Sequence, residues 1–205
     1  KVYEFEGFPN PARVCVALAE KNLTDQVEFV QIDLLAGEHR AATFLEKNPS
    51  GAVPVLELED GTTISECTAI TEYLDHVSGE PTLTGRTPQE RAVINMMQRR
   101  AEAGVMDAVS AYFHHATPCL GPDIEGYQNA EWGEHQRDRA LAGMAYLDGV
   151  LAKRPYLAGD GFSVADITAF IGLGFADFAK IEIPQDYVHL AAWRARIAER
   201  PSIAA

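Results

Sequence analysis

The hydrophobic period changes once along this chain, and that change limits the fold more than any single residue does. Residues 1 to about 78 alternate strand-like and helix-like segments, whereas residues from about 89 onward carry only the helical period. Between them, 79–88 (Gly-Glu-Pro through Thr-Pro) is rich in Pro, Gly and Thr and reads as a linker. With 205 residues in total, the pattern predicts two small domains, 1–78 and 89–205.

In the first part, Val2-Tyr3-Glu4-Phe5-Glu6 alternates as a strand and Gly7 to Pro11 forms a turn. Asn10 is placed to cap the helix that follows, with Pro11 in its first turn. A second strand spans Val27 to Asp33 and a short helix Glu38 to Lys47. Val53 to Leu58 and Thr62 to Ser65 flank an Asp60-Gly61 turn, which signals a hairpin. A helix from Glu66 to Val77 closes the unit. The order βαβ then αββα predicts a mixed sheet flanked by helices. The second part predicts one long helix over 89–116 and further helices near 130–152, 163–180 and 188–199. Ser163 and Asp166 form an S-x-x-D capping box, a structural feature.

Charge narrows the function. There are 30 acidic and 17 basic residues, a net charge of −13, which disfavours nucleic acid and anionic membranes. No apolar run approaches the roughly 20 residues of a membrane span, and no signal peptide is legible, although the sequence begins at Lys1 rather than Met. The three cysteines, Cys15, Cys67 and Cys119, suit reduced thiols and a cytoplasmic location. No HExxH or recognised Cys/His spacing points to a metal.

Two segments carry the candidate chemistry. Pro54 cannot donate to a strand ladder. Either a trans proline opens the strand, or a cis Val53-Pro54 bond turns the Val53 backbone toward a ligand. At Ser65-Glu66-Cys67-Thr68 a strand runs into a helix, where free N–H groups suit a carboxylate and Glu66 suits an ammonium. The competing reading is a Ser65 cap with Glu66 complementing the helix dipole.

These residues carry a family resemblance. The strand–helix order, Val53-Pro54-Val55-Leu56-Glu57-Leu58, Ser65-Glu66-Cys67-Thr68-Ala69-Ile70 and the Ser163–Asp166 box resemble the cytosolic glutathione transferases over essentially the whole chain. The Phe-His-His-Ala-Thr-Pro and Thr-Leu-Thr-Gly segments resemble a fungal, yeast-type subgroup. The resemblance implies an α/β thioredoxin-like N-terminal domain and an all-α helical-bundle C-terminal domain. It implies glutathione as co-substrate, a small electrophile as second substrate, a homodimer and a role in detoxification.

It also implies site residues. Val53 would pair with the cysteinyl backbone of glutathione beside Pro54, and Glu66 and Cys67 would hold the γ-glutamyl head. His39 and Arg40 are the local candidates for the glycyl carboxylate, and both also read as solvated helix residues. The Tyr, Ser or Cys that most members aim at the sulfur is missing from Gly7-Phe8-Pro9-Asn10. A thiol of pKa about 8.5 is only about 3% ionised at pH 7, and lowering it to about 6.5 takes about 2.7 kcal/mol. A helix N-terminus supplies ~0.3–1 kcal/mol, up to ~2. Asn10 is one further donor. Ser110 and His114, four apart on one helix face, are implied to hold a water that takes the proton; His114 also suits a helix C-terminus. Phe8, Met106, Tyr112 and Phe113 are apolar candidates for an electrophile pocket, with plain core as the alternative. Two other functions stay open: a glutathione-dependent disulfide reductase or peroxidase using Cys67, and a non-catalytic interaction module.

Overall fold

The computed structural model describes residues 1–122 and 124–204. It divides into two compact units, Lys1–Leu83 and Thr84–Ala205.

The first unit is a four-stranded sheet in the order β2-β1-β3-β4. Strand β1 (Val2–Glu4) runs parallel to β2 (Phe29–Gln31) and antiparallel to β3 (Val55–Glu57), which pairs antiparallel with β4 (Thr63–Ser65). A parallel pair needs a crossover, and helix α1 (Pro9–Glu20) supplies it. Helix α2 (Ala42–Leu45) precedes β3, and α3 (Cys67–Val77) follows β4 and packs on α1. Val14, Ala17 and Leu18 of α1 and Ile70 and Leu74 of α3 are at most 3% exposed, so their helical spacing marks the buried faces. Phe44 of α2 packs on Val53 and Val55 with Tyr3, Phe5, Ile32 and Leu34. This is the thioredoxin-like arrangement expected from the sequence.

A buried ion pair fastens the end of this unit. Lys21 Nζ lies 2.9 Å from Asp75 Oδ1, with side chains 7% and 0% exposed. Asp75 also accepts the backbone N–H groups of Thr82 and Leu83, each at 3.0 Å. Every one of these groups satisfies another, which offsets the cost of burying charge.

The second unit is helical: α4 (Pro88–Ala101), α5 (Asp107–Ala116), α6 (Ala130–Leu151), α7 (Val164–Phe178), α8 (Val188–Ala198) and α9 (Pro201–Ala204). The expected single helix over 89–116 is interrupted by a π-helical turn, Glu102–Met106. Helix α6 packs against this turn. A Cβ on Gly143 would come within 2.1 Å of the Gly104 carbonyl oxygen, so the two backbones meet directly there. At the start of α6, a Cβ on Gly133 would lie 2.6 Å from Ala116 Cβ. Helix α6 therefore runs against α5 and the turn before it at backbone distance. The capping box is present: the Ser163 N–H and hydroxyl both donate to Asp166 Oδ2, at 3.1 and 3.0 Å. Asp166 Oδ1 also accepts Leu157 N–H and Trp193 Nε1–H. Among the described residues no helix is long and apolar enough to cross a membrane.

Candidate functional site

Strand register assembles one corner of the first unit. Tyr3 faces Val55 across β1–β3, and Val55 faces Ser65 across β3–β4. Just beyond these strands, Phe5 packs on the cluster of Phe44, Val53 and Val55, and Cys67 Sγ lies 3.3 Å from the Asn10 carbonyl oxygen. The β1–α1 loop, the Val53-Pro54 segment and the start of α3 therefore converge at one end of the sheet. The Val53-Pro54 bond is cis, and the ladder begins only at Val55. Of the two sequence alternatives at this proline, the cis form is the one present.

Two expected caps are corrected. Glu66, not Ser65, is the N-cap of α3, and no side chain caps that helix. Glu66 has φ 70°, a left-handed conformation that costs a non-glycine residue about 1–3 kcal/mol. Its side chain is exposed while Cys67 is 7% exposed. Helix α1 starts at Pro9, one residue before Asn10, so Phe8 is its N-cap, again without a side-chain bond. Asn10 sits in the first turn, where the helix needs no cap from it. No acidic residue occupies the first turn of α1 or α3. Both helix starts thus present N–H groups and positive dipole ends to the same corner.

Asn10 links them. Its carbonyl oxygen accepts from Cys67 Sγ at 3.3 Å, and its Oδ1 accepts from Arg13 Nη1 at 3.1 Å. The Cys67 thiol is thus used as a donor. Cys15 is packed: burial first, then the neighbouring Glu4 carboxylate, pushes its thiol up to about 12. Glu4, 6% exposed, was not singled out from the sequence; it accepts from Gln31 Nε2 at 2.9 Å as well as from Cys15.

The expected short helix over 38–47 is two pieces, a 3-10 turn at Glu38–Arg40 and α2. The Cβ-less Gly51 lets that turn approach, since a Cβ there would lie 3.2 Å from the His39 carbonyl oxygen. Among the described residues His39 Nδ1 is buried without a hydrogen-bond partner, and burial, then the Arg40 charge, lowers its pKa. Arg40 is exposed and is the better standing cation of the two. Lys47 is committed to Glu57 and lies over the Tyr3 ring.

In the helical unit, Ser110 and His114 lie on α5 and are both half-buried. His114 Nδ1 is 2.8 Å from Glu125 Oε1 and 3.2 Å from Cys119 Sγ, and Cys119 donates to Glu125 at 2.8 Å. Burial raises the Glu125 carboxyl, but the bonds from Cys119 and His114 outweigh it and leave its pKa lowered. Neither Cys119 nor Glu125 was a candidate from sequence, because His-x4-Cys-x5-Glu matches no familiar spacing. Phe113 packs edge-on against Phe175 and His114, each at 5.4 Å between ring centres, and Tyr112 is half-buried on the same core. Met106 is 4% exposed within the π-helical turn, so it belongs to the packed interior rather than to an open surface. Phe8 stacks on Phe5 at 4.7 Å.

Comparisons with known proteins identify the family. A family model described as "Glutathione S-transferase, N-terminal domain" matches residues 9–77, and one described as "Glutathione S-transferase, C-terminal domain" matches residues 105–201. The chain is 58% identical over 202 residues to Glutathione S-transferase 2 of Saccharomyces cerevisiae, covering 98% of this chain and 87% of that one. It superposes on the crystal structure of Gtt2 from Saccharomyces cerevisiae with a TM-score of 0.97 and 58% identity, covering 99% of this chain and 98% of that one. A glutathione S-transferase domain-containing protein from Marinobacter aquaeolei VT8 gives a TM-score of 0.97 at 60% identity, over 98% of each chain. The fungal-type kinship expected from the sequence therefore holds, and a bacterial chain shares it. On its sequence, both of its units and its full-length likeness to these proteins, the chain belongs to the glutathione S-transferase family.

Proposed function

We propose that this enzyme activates the glutathione thiol for attack on small apolar electrophiles without a Tyr, Ser or Cys beside the sulfur. The observation that carries the reading is the pair of uncapped helix starts meeting at one sheet corner, with Glu66 held at φ 70° between β4 and α3. Backbone strain of this kind is kept where surrounding structure and function require it.

Glutathione lies extended along this corner. Its cysteinyl backbone pairs with Val53 beside Pro54. Its γ-glutamyl carboxylate meets the first N–H groups of α3 at Cys67, and its ammonium meets the exposed Glu66 carboxylate. Arg40, with His39 behind it, faces the glycyl carboxylate. The sulfur points to the start of α1, where the dipole and the Asn10 amide favour thiolate. The thiolate then forms a carbon–sulfur bond as the electrophile's leaving group departs or its double bond takes up the electron pair. The thiol proton passes to a water held by Ser110 and His114. His114 Nδ1 is occupied by Glu125, so Nε2 is the nitrogen that takes the proton. Phe8, Tyr112 and Phe113 remain the proposed apolar contacts of the electrophile, and Met106 is withdrawn from them because it is packed in the interior. A cytoplasmic homodimer that removes toxic electrophiles completes the reading.

The test is a pH titration of thiolate absorbance for glutathione bound to the purified enzyme. Ionisation well below the free thiol range supports the reading, and a thiol that titrates as in water overturns it. Full turnover and an unchanged bound-thiol pKa in both Ser110→Ala and His114→Ala would remove those two residues from the mechanism. The interaction-module alternative predicts binding without turnover across a broad electrophile panel. The Cys67 redox alternative is disfavoured by the use of that thiol as a donor to Asn10.

A further inference from the structure

The loop after α5 brings three different metal-ligating groups together. His114, Cys119 and Glu125 each offer one donor atom, and these atoms all lie within 4.8 Å of one another. The nearest approaches are 2.8 Å from Nδ1 to Oε1, 2.8 Å from Sγ to Oε1 and 3.2 Å from Sγ to Nδ1. All three are partly buried, with the His114 and Glu125 side chains 40% and 12% exposed.

The scaffold around them is tied down. Thr117 Oγ1 donates to the Phe113 carbonyl at 2.7 Å and accepts the Cys119 N–H at 3.1 Å. Gln128 Nε2 donates to the carbonyls of His114 and Thr117, at 2.8 and 3.0 Å. The loop is thus closed over the helix end on both sides of the three donors. His115 is used elsewhere: its Nδ1 accepts the Asn129 N–H at 3.2 Å.

We propose that His114 Nδ1, Cys119 Sγ and Glu125 Oε1 form a three-ligand site for Zn2+, with water as fourth ligand. The donor set argues for a borderline-soft ion. Imidazole, thiolate and carboxylate together suit Zn2+, while Mg2+ and Ca2+ prefer oxygen alone. Thiolate and carboxylate balance the two positive charges of the ion. The usual bond lengths, about 2.0–2.1 Å to nitrogen, 2.3 Å to sulfur and 2.0–2.2 Å to oxygen, imply tetrahedral edges of about 3.4–3.6 Å. The Nδ1–Oε1, Sγ–Oε1 and Sγ–Nδ1 separations of 2.8, 2.8 and 3.2 Å need to widen by about 0.6, 0.8 and 0.4 Å, through small rotations of all three partly buried side chains. On binding, the Sγ–H proton leaves to solvent, the His114 proton moves through solvent from Nδ1 to Nε2, and the zinc–sulfur and zinc–nitrogen bonds replace the hydrogen bonds of Cys119 and His114 to Glu125. No oxidant or reductant takes part.

The experiment uses the full chain, treated with chelator, and Co2+ or Zn2+ as the probe. Site formation gives one Co2+ per chain with a thiolate-to-cobalt charge-transfer band and intense four-coordinate visible bands. Zn2+ at one equivalent removes both. Cys119→Ala abolishes the charge-transfer band and weakens Zn2+ at least tenfold, while Cys15→Ala leaves both unchanged. Absence of the band, its survival in Cys119→Ala, or Zn2+ binding only at several equivalents overturns the proposal. Should Cys119→Ala fail to fold, alkylation of the parent protein decides instead. One equivalent of Zn2+ should protect Cys119 from iodoacetamide at least tenfold, and no protection overturns the site. These readouts are independent of turnover; a bound Zn2+ puts the His114 proton on Nε2, so the transferase reading belongs to the metal-free enzyme and is tested there separately.

Discussion

Cys67 Sγ lies 3.3 Å from the carbonyl oxygen of Asn10, so the first residue of α3 is hydrogen-bonded to the first turn of α1. A serine hydroxyl is a stronger donor than a thiol at the same place. Cys67→Ser should therefore keep the fold, transferase turnover and KM for glutathione, whereas Cys67→Ala should lose about 1 kcal/mol of stability with the bond. Thermal melts and steady-state kinetics of the two variants check this. A collapse of turnover in Cys67→Ser would instead make the thiol a reacting group.

Glu66 separates strain from function. Glu66→Ala removes the carboxylate and leaves φ at 70°, while Glu66→Gly removes both. Glycine relieves about 1–3 kcal/mol of strain and loses about 0.5–1 kcal/mol to chain entropy. Glu66→Gly should therefore be about 1 kcal/mol more stable than Glu66→Ala, and both should bind glutathione more weakly than the parent. Equal melting temperatures would show that the backbone here is not strained.

The Lys21–Asp75 pair is buried, so it behaves unlike a surface ion pair. Lys21→Met removes the ammonium and leaves the buried Asp75 charge to its remaining partners, the backbone N–H groups of Thr82 and Leu83 among them. The expected loss is about 3–5 kcal/mol, little changed by added salt because burial limits screening. Urea denaturation at low and high ionic strength measures it. A loss below about 1 kcal/mol would place the pair among ordinary surface bridges.

Asp166 gives the helical unit a pH signature. Burial pushes its carboxyl up to about 6 against the pull of its hydrogen-bond donors, Leu157, Ser163 and Trp193. A folded pKa above the unfolded value, about 3.9, means the folded state holds the proton more tightly. The stability from this group is complete below about pH 4 and is lost as pH rises through about 6. Asp166→Asn has no such titration, and its amide cannot accept all the donors, so it should be less stable throughout. The gap between parent and variant should widen on going from pH 7 to pH 4.5. Unfolding free energies at the two pH values decide it, and a constant gap refutes the shift.

Gly143→Ala tests the helix contact at the π-helical turn. The new methyl would collide with the backbone of Gly104, which cannot rotate away as a side chain can. A loss of at least about 1–3 kcal/mol is expected. An unchanged melt would mean that α6 and the turn separate easily.

Much of this molecule was legible from residues three or four apart. The alternation of Val2 to Glu6, the Asp60-Gly61 hairpin, the Ser163–Asp166 box and the periods of α6 to α8 are local signals, and the structure bears out the last three while β1 ends earlier, at Glu4. The motif at Val53-Pro54 and Ser65-Glu66-Cys67 could be read as a resemblance because its residues are contiguous. What the sequence left open depends on partners far along the chain. Cis or trans at Pro54, the cap at Glu66 rather than Ser65, and the place of Asn10 inside α1 are settled where three segments meet at one sheet end. The interruption of the 89–116 helix falls where the turn meets the backbone of α6 at Gly143, a residue that carries no period of its own. The cluster of His114, Cys119 and Glu125 exists only because a closed loop returns over the end of α5. Periodicity and capping are written in short-range steric and hydrogen-bonding rules, whereas register, close backbone approach and loop return are decided by packing between segments that only the folded chain brings together.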